Sequence, residues 1–292
     1  MAGEFDGLER LAFENGEVVL HAVAAGPRDG PVVLLLHGFP EFWYGWRRQI
    51  LPLARAGFRV IAPDQRGYNL STKPRPVRAY TLPKLTSDVL AIADQVGCQK
   101  IFLGGHDWGA AVAWNTAILH PDRIAKLAIL NVPHPAVMIR YLRTRPAQML
   151  RSWYMLFFQI PKVPEFVFSA NNFRVGIRAL ERSSRPGTFS PNELERYREA
   201  WSQPGAMRGM IHWYRTLSRS RPTPLPGKVQ VPALILWGVR DKFLMAEMAR
   251  ESVYECSAAK LICFEDATHW LHHEEPERVT ALLAEFFCSV CH

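Results

Sequence analysis

Two hydrophobic rhythms take turns along this chain. Short apolar runs occupy residues 18–25, 31–36, 58–62, 101–104, 124–132, 231–237 and 260–264. Helix-period stretches stand among them at 44–56, 82–96, 108–119 and 277–288, the second opened by Pro83. Continuous apolar runs lack a polar face, as strands do when helices cover both sides of a sheet. The alternation therefore predicts an α/β fold with a mostly parallel sheet. It stops between residues 134 and 228, which are helical in pattern, rich in Arg, Pro and aromatics, and end in a Pro-dense linker at 221–227. This predicts a helical cap, 134–228, inserted into a discontinuous core, 1–133 and 229–292. The cap is expected over the carboxyl edge of the sheet, where open α/β sheets bind ligands.

The strand pattern at 101–104 runs into Gly105-His106-Asp107-Trp108-Gly109 and then into a helix. A tight strand-to-helix turn of this kind lifts one side chain clear of the sheet, and small neighbours keep the turn open. Serine is the usual occupant, and Asp107 stands here instead. A carboxylate of ordinary pKa, ~3.9, is already ionised at neutral pH. It can attack an sp3 carbon directly, giving an alkyl ester that water can hydrolyse. A serine would give an ether that water cannot readily cleave.

Ester hydrolysis needs a base and a partner for it. His269 follows the last strand and Asp241 the strand before, so both are expected at the sheet edge that carries Asp107. Asp266 is a rival acid three residues from His269, expected instead at a turn. The alternative acid position, after the strand ending near Asn131, holds an amide. For the oxyanion, the loop His37-Gly38-Phe39-Pro40 offers the Phe39 N–H, and the head of the elbow helix offers that of Trp108. His37, Asp64 and Arg66 read as loop braces.

Charge changes the picture little. The chain has 292 residues and a net charge of +8, with sixteen Lys/Arg against five Asp/Glu between His134 and Lys228. This reads as a solvated basic face in preference to one that meets anionic substrates or a membrane surface, since no long basic run or basic–aromatic motif stands out, and no nucleic-acid partner is expected. No signal-peptide pattern opens the chain, and its longest apolar stretch contains His106, Asp107 and Asn115. A soluble cytoplasmic protein without stable membrane insertion is expected. Five scattered cysteines suggest no disulfide framework. The CxxCH pattern from Cys288 to His292 reads as a tail, not a haem site.

The ordered set of His37 to Pro40, Asp64 to Tyr68, Gly105 to Gly109, Asp241 and His269 resembles the epoxide hydrolases of the α/β-hydrolase family, from about Leu11 to Phe287. The resemblance implies a mostly parallel eight-stranded sheet with a helical cap. Two cap segments match those that carry the family's lid tyrosines, which fall on Tyr154 and Tyr214. Two phenols there would hydrogen-bond and protonate the opening epoxide oxygen. The resemblance also implies a cis Phe39–Pro40 peptide and no metal or organic cofactor. His272-His273-Glu274-Glu275 reads as the start of the last helix. The expected partners are water and a small apolar epoxide, in a pocket drawn from His37, Pro40, Trp43, Trp46, Phe157, Phe158, Trp213 and Trp270. A homodimer is allowed. Haloalkane and haloacid dehalogenases also resemble the chain through Asp107-Trp108. Phe39 stands where the former usually hold Asn, and Trp108 and Ala111 where the latter usually hold Arg. A non-catalytic receptor on the same fold is the alternative from another class.

Overall fold

Eight strands form one sheet: β1 (Glu9–Asn15), β2 (Val18–Ala25), β3 (Val32–Leu36), β4 (Arg59–Pro63), β5 (Ile101–His106), β6 (Ile124–Leu130), β7 (Ala233–Gly238) and β8 (Ala259–Phe264). Their spatial order is β1-β2-β4-β3-β5-β6-β7-β8 in the computed structural model, which describes residues 7–219 and 227–289. β2 runs antiparallel to β1 and β4, and every other neighbouring pair is parallel. β3, β4 and β7 are buried along their whole length, hence their unbroken apolar runs. β1 escapes an apolar-run reading because it is an edge strand whose inner side chains alternate with exposed polar ones.

The two faces of the sheet carry separate cores. Leu34 and Leu36 of β3 face one way, with α2 (after α1, Arg47–Arg55; α2 is Leu82–Gln95) and α3 (Trp108–Leu119) packed on them through Val89, Ile92 and Trp114. Val33 and Leu35 face the other way, against Ile50 and Leu53 of α1. This is the two-residue alternation of a strand. Trp46 is fully buried in this second core, in a 3-10 turn (Trp43–Trp46) that opens α1. It is therefore a core residue, not a pocket wall.

Six helices stand between β6 and β7: α4 (Pro135–Thr144), α5 (Pro146–Arg151), α6 (Trp153–Phe157), α7 (Val163–Ser183), α8 (Pro191–Ser202) and α9 (Ala206–Arg219). Proline opens α4, α5 and α8, where its missing N–H costs nothing. A capping box between Ser190 and Glu193 fixes the start of α8. This helical insertion is tied down by its indoles and phenols. Trp201 Nε1 donates to Pro40 O at 2.5 Å, Trp213 Nε1 to Arg66 O at 3.0 Å, and Tyr197 Oη to Glu41 at 2.8 Å. α9 approaches the core so closely that a Cβ on Gly209 would lie 2.5 Å from Gly67 O.

After β7 come α10 (Glu247–Tyr254), α11 (Leu271–Glu274) and α12 (Pro276–Cys288). α12 joins α1 on the second core through Val279, Leu283 and Phe287. His272 and His273 belong to α11, a separate buried turn, and do not start the last helix. The expected linker lies, apart from Gly227, outside the described residues, as do Cys291 and His292.

Candidate active site

The chain passes from β3 to β4 on one side and returns to β5 on the other side of β3. The loops leaving β3 and β5 therefore face each other across a switch point. Asp107 sits at the β5–α3 turn with φ 50° and ψ −123°, a strained conformation for a non-glycine residue. The turn closes only with glycine on either side. A Cβ on Gly105 would come 2.5 Å from Gly109 O, and one on Gly109 would come 2.2 Å from Leu36 O.

Three chain segments converge on Asp107. The Phe39 N–H donates to its Oδ1 at 2.7 Å, beside the cis Phe39–Pro40 peptide. His269 Nε2 lies 3.5 Å from its Oδ2, and His269 Nδ1 lies 2.7 Å from Asp241 Oδ2. Trp108 opens α3, so its backbone N–H belongs to the helix's free first turn. Asp241 is fixed from three sides. Its Oδ1 accepts from the N–H groups of Phe243 and Leu244 at 2.7 and 3.0 Å. Asn131 Nδ2 donates to its Oδ2 at 2.7 Å. The amide that disqualified Asn131 as an acid is thus the donor that orients the acid. Asp266 is exposed and pairs with Arg240.

Burial pushes the His269 imidazole down, but the charges of Asp241 and Asp107 outweigh it and raise its pKa to about 10. Burial pushes Asp107 up, and His269 with the Phe39 N–H more than reverses that, leaving the carboxyl below its ordinary value. Asp107 is ionised at rest and His269 holds a proton between two carboxylates. A folded-state pKa above the unfolded value near 6.5 stabilises the fold fully below that value. The contribution is lost as pH rises toward about 10. Urea unfolding of the wild type and His269→Gln should therefore converge between about pH 6.5 and pH 10. Parallel stability profiles over that window would contradict the pairing.

Aromatic rings close over Asp107 and His269. Tyr214 packs on Phe39, Trp108 and Phe158, with centroids 5.2, 5.1 and 4.7 Å away. Tyr154 lies 5.9 Å from Tyr214 and 5.8 Å from Phe243, whose ring rests 5.2 Å from His269. Burial and the nearby Asp107 charge raise the pKa of both phenols, so they stay protonated.

The other expected wall residues divide. Trp213 stands on Trp108, and Phe158 on Phe39 and Tyr214. Trp270 packs behind His269 and donates to Ser183 of α7 at 2.8 Å. Pro40 turns its carbonyl to Trp201. His37 is not a wall residue. Its Nδ1 faces Gly38 O and its Nε2 accepts the Gln65 N–H at 3.0 Å, so both ring nitrogens brace the loop. The described ring contacts of Trp43 are with Phe42 and Tyr44, and those of Phe157 with Trp153 and Phe158.

A buried polar set behind His269 was not expected. His106 Nε2 faces the His269 carbonyl oxygen at 2.9 Å, and its Nδ1 faces Glu41 at 3.2 Å. Glu41 also meets His273 at 2.7 Å and His272 at 3.4 Å. Burial drives the Glu41 carboxyl up, but these histidines hold it well below the ordinary range. Glu41, His106 and His272 bring ligand atoms within 4.8 Å of one another, so among the described residues this group has the spacing to hold a metal ion. Two sequence signals pointed here: Glu41 directly follows the His37–Pro40 loop, and His106 directly precedes Asp107.

A nucleophile elbow at the carboxyl edge, with its acid and His after the last two strands, β7 and β8, defines an α/β hydrolase. The family model for the alpha/beta hydrolase fold matches residues 31–276. The chain is 42% identical to the AB hydrolase superfamily protein YfhM of Bacillus subtilis, over 96% of this chain and 98% of that one. It is 41% identical to human epoxide hydrolase 4, over 91% of this chain and 75% of that one. The crystal structure of epoxide hydrolase A from Mycobacterium thermoresistibile superimposes with a TM-score of 0.85 at 31% identity, over 96% and 98% of the two chains. The chain belongs to the α/β-hydrolase family and, within it, to the group that contains these epoxide hydrolases. No helix among the described residues is long and apolar enough to cross a membrane.

Proposed function

We propose that the protein hydrolyses apolar epoxides to vicinal diols through a covalent ester on Asp107. One observation carries this reading. A carboxylate, not a hydroxyl, occupies the elbow, with one oxygen on the Phe39 N–H and the other toward His269, beside the buried phenol of Tyr214 and the partly buried one of Tyr154. Oδ1 is engaged by an amide donor, so Oδ2 is the attacking atom. It forms a bond to an epoxide carbon while the C–O bond of the ring breaks. The released oxygen takes a proton from Tyr154 or Tyr214.

His269 then removes a proton from water, and the hydroxide adds to the ester carbonyl carbon of Asp107. His269 acts as a base once its resting proton has passed to solvent, and esterification assists that loss by removing the Asp107 charge that raised its pKa. The Phe39 and Trp108 N–H groups hold the oxyanion. Collapse expels the diol oxygen, which takes the proton from His269. The proton left on Asp107 restores the tyrosine through solvent. The site residues in this scheme need no cofactor.

Water oxygen therefore ends on the enzyme in the first cycle. A single turnover in 18O-water should label the Asp107 carboxylate and leave the diol unlabelled. Label in that first diol would mean that water attacks the epoxide directly. The phenols give a second test. Tyr154→Phe or Tyr214→Phe alone should slow alkylation by roughly 10- to 100-fold, and the pair by ~10^3-fold or more. Single-turnover rates measure this. A double variant no slower than either single would mean that the phenols work as one unit.

A further inference from the structure

The cap turns an apolar ridge to solvent. Leu150, Leu156 and Phe166 are 75%, 76% and 75% exposed, and Trp153 is 63% exposed. Met149 just before them and Ile160 and Val163 between them are also exposed. These positions recur every three or four residues through α5, α6 and the start of α7. Half of the exposed large hydrophobics among the described residues lie in this one stretch, 149–166. Scattered exposed apolar residues are ordinary on a protein surface, but a run of this kind marks a contact.

Charge says what it contacts. Arg143, Arg145, Arg151 and Lys162 are exposed in or beside this stretch, with Arg151 also donating to the carbonyls of Asp241 and Leu244, and Arg174 and Arg178 are exposed further along α7. None of the six forms an ion pair among the described residues. The one acid between residues 140 and 180, Glu165, is bound to Arg215. With no long basic run or basic–aromatic motif, the sequence favours a solvated face here over a membrane contact; the structure adds an exposed apolar ridge among these cations.

We propose that this ridge docks the protein on an anionic membrane surface. Trp, Phe and Leu side chains would sink among the headgroups while Arg and Lys meet lipid phosphates, as in helices that lie on a bilayer without crossing it. A second copy of the chain fits less well. A twofold contact would set each ridge on the other and bring two sets of unpaired cations together. The placement has a use if the epoxide reading holds, and only this point rests on it. α6 carries Trp153 and Leu156 outward and Tyr154 toward Asp107. Docking would set the candidate site beside the phase in which apolar epoxides collect.

The 292-residue chain can be floated with vesicles of phosphatidylcholine alone or with about 30% phosphatidylglycerol. It should bind the anionic vesicles, and 0.5 M salt should weaken binding by roughly 10-fold. Leu150→Ser/Trp153→Ser/Leu156→Ser/Phe166→Ser and, separately, Arg143→Gln/Arg145→Gln/Lys162→Gln/Arg174→Gln should each lower it by about 10-fold or more. Far-UV spectra and melting curves check that both variants fold. If the apolar variant misfolds, brominated-lipid quenching that Trp153→Phe diminishes decides the question. Wild type that stays with neither vesicle would overturn the proposal. So would an apolar variant that binds as well as wild type. Light scattering that finds a dimer which the apolar variant splits would assign the ridge to a second copy instead. None of these readouts depends on turnover, so failure to form diol would leave the docking result intact.

Discussion

Replacing Asp107 with Ala is expected to lower diol formation by roughly 10^4-fold or more, because the atom that forms the covalent bond is gone. The fold should persist. Asp107 is held only by one amide donor and by His269, so Ala unpairs the Phe39 N–H while its Cβ keeps the turn as strained as before. Asn is the sharper variant, since it accepts positive φ and fills the same space without a charge. Diol formation from a varied panel of epoxides, followed with wild type, Asp107→Ala and Asp107→Asn, measures the effect. Ser at this position separates the chemistries further. It would give at most one alkylation event, as an ether that His269 cannot help water to cleave. Diol from Asp107→Ala at even a tenth of the wild-type rate would leave the carboxylate with no covalent role. If no epoxide yields diol even from wild type, halide release from haloalkanes is the next assay.

The elbow was legible because its requirements are local. A buried parallel strand shows as an apolar run, and a tight turn that ends against backbone on two sides demands glycine on both flanks of Asp107. His269 and Asp241 were legible because chain order places them on strand ends at one sheet edge. Less could be read where identity depends on what packs across the fold. Trp43, Trp46 and Phe158 look alike in sequence. Only the fold decides that Trp46, in the 3-10 turn before α1, enters the second core and that Phe158, just past α6, stands on Tyr214. Asn131 was judged for a role it lacks, since its contact with Asp241 joins the ends of two adjacent strands far apart in sequence. Glu41 and His106 each touch a motif residue, yet their pairing through the buried loop is a three-dimensional fact. The same limit applied to the cap, whose charge was countable while the exposure of Leu150, Leu156 and Phe166 was not.

His269→Gln should trap the chemistry half-way. Alkylation needs the ionised carboxylate and the two phenols, and none of these is His269. Without the imidazolium, Asp107 loses one source of its lowered pKa, but the Phe39 N–H remains on Oδ1 and an ordinary carboxyl is still ionised at neutral pH. Hydrolysis needs a base within reach of the ester carbonyl, and Asp241 is fully enclosed by Asn131 and its own loop amides. The first step should therefore continue while the second slows by about 10^3-fold. The variant should consume close to one equivalent of epoxide in a burst and gain the mass of one substrate. The added mass should map to Asp107 in a proteolytic digest. Dilution into fresh buffer should release diol slowly, since the ester carbonyl still faces its backbone donors. A variant that neither consumes epoxide nor gains mass would place His269 in ring opening itself. The base would then activate water against the epoxide, and the carboxylate would act only through its charge.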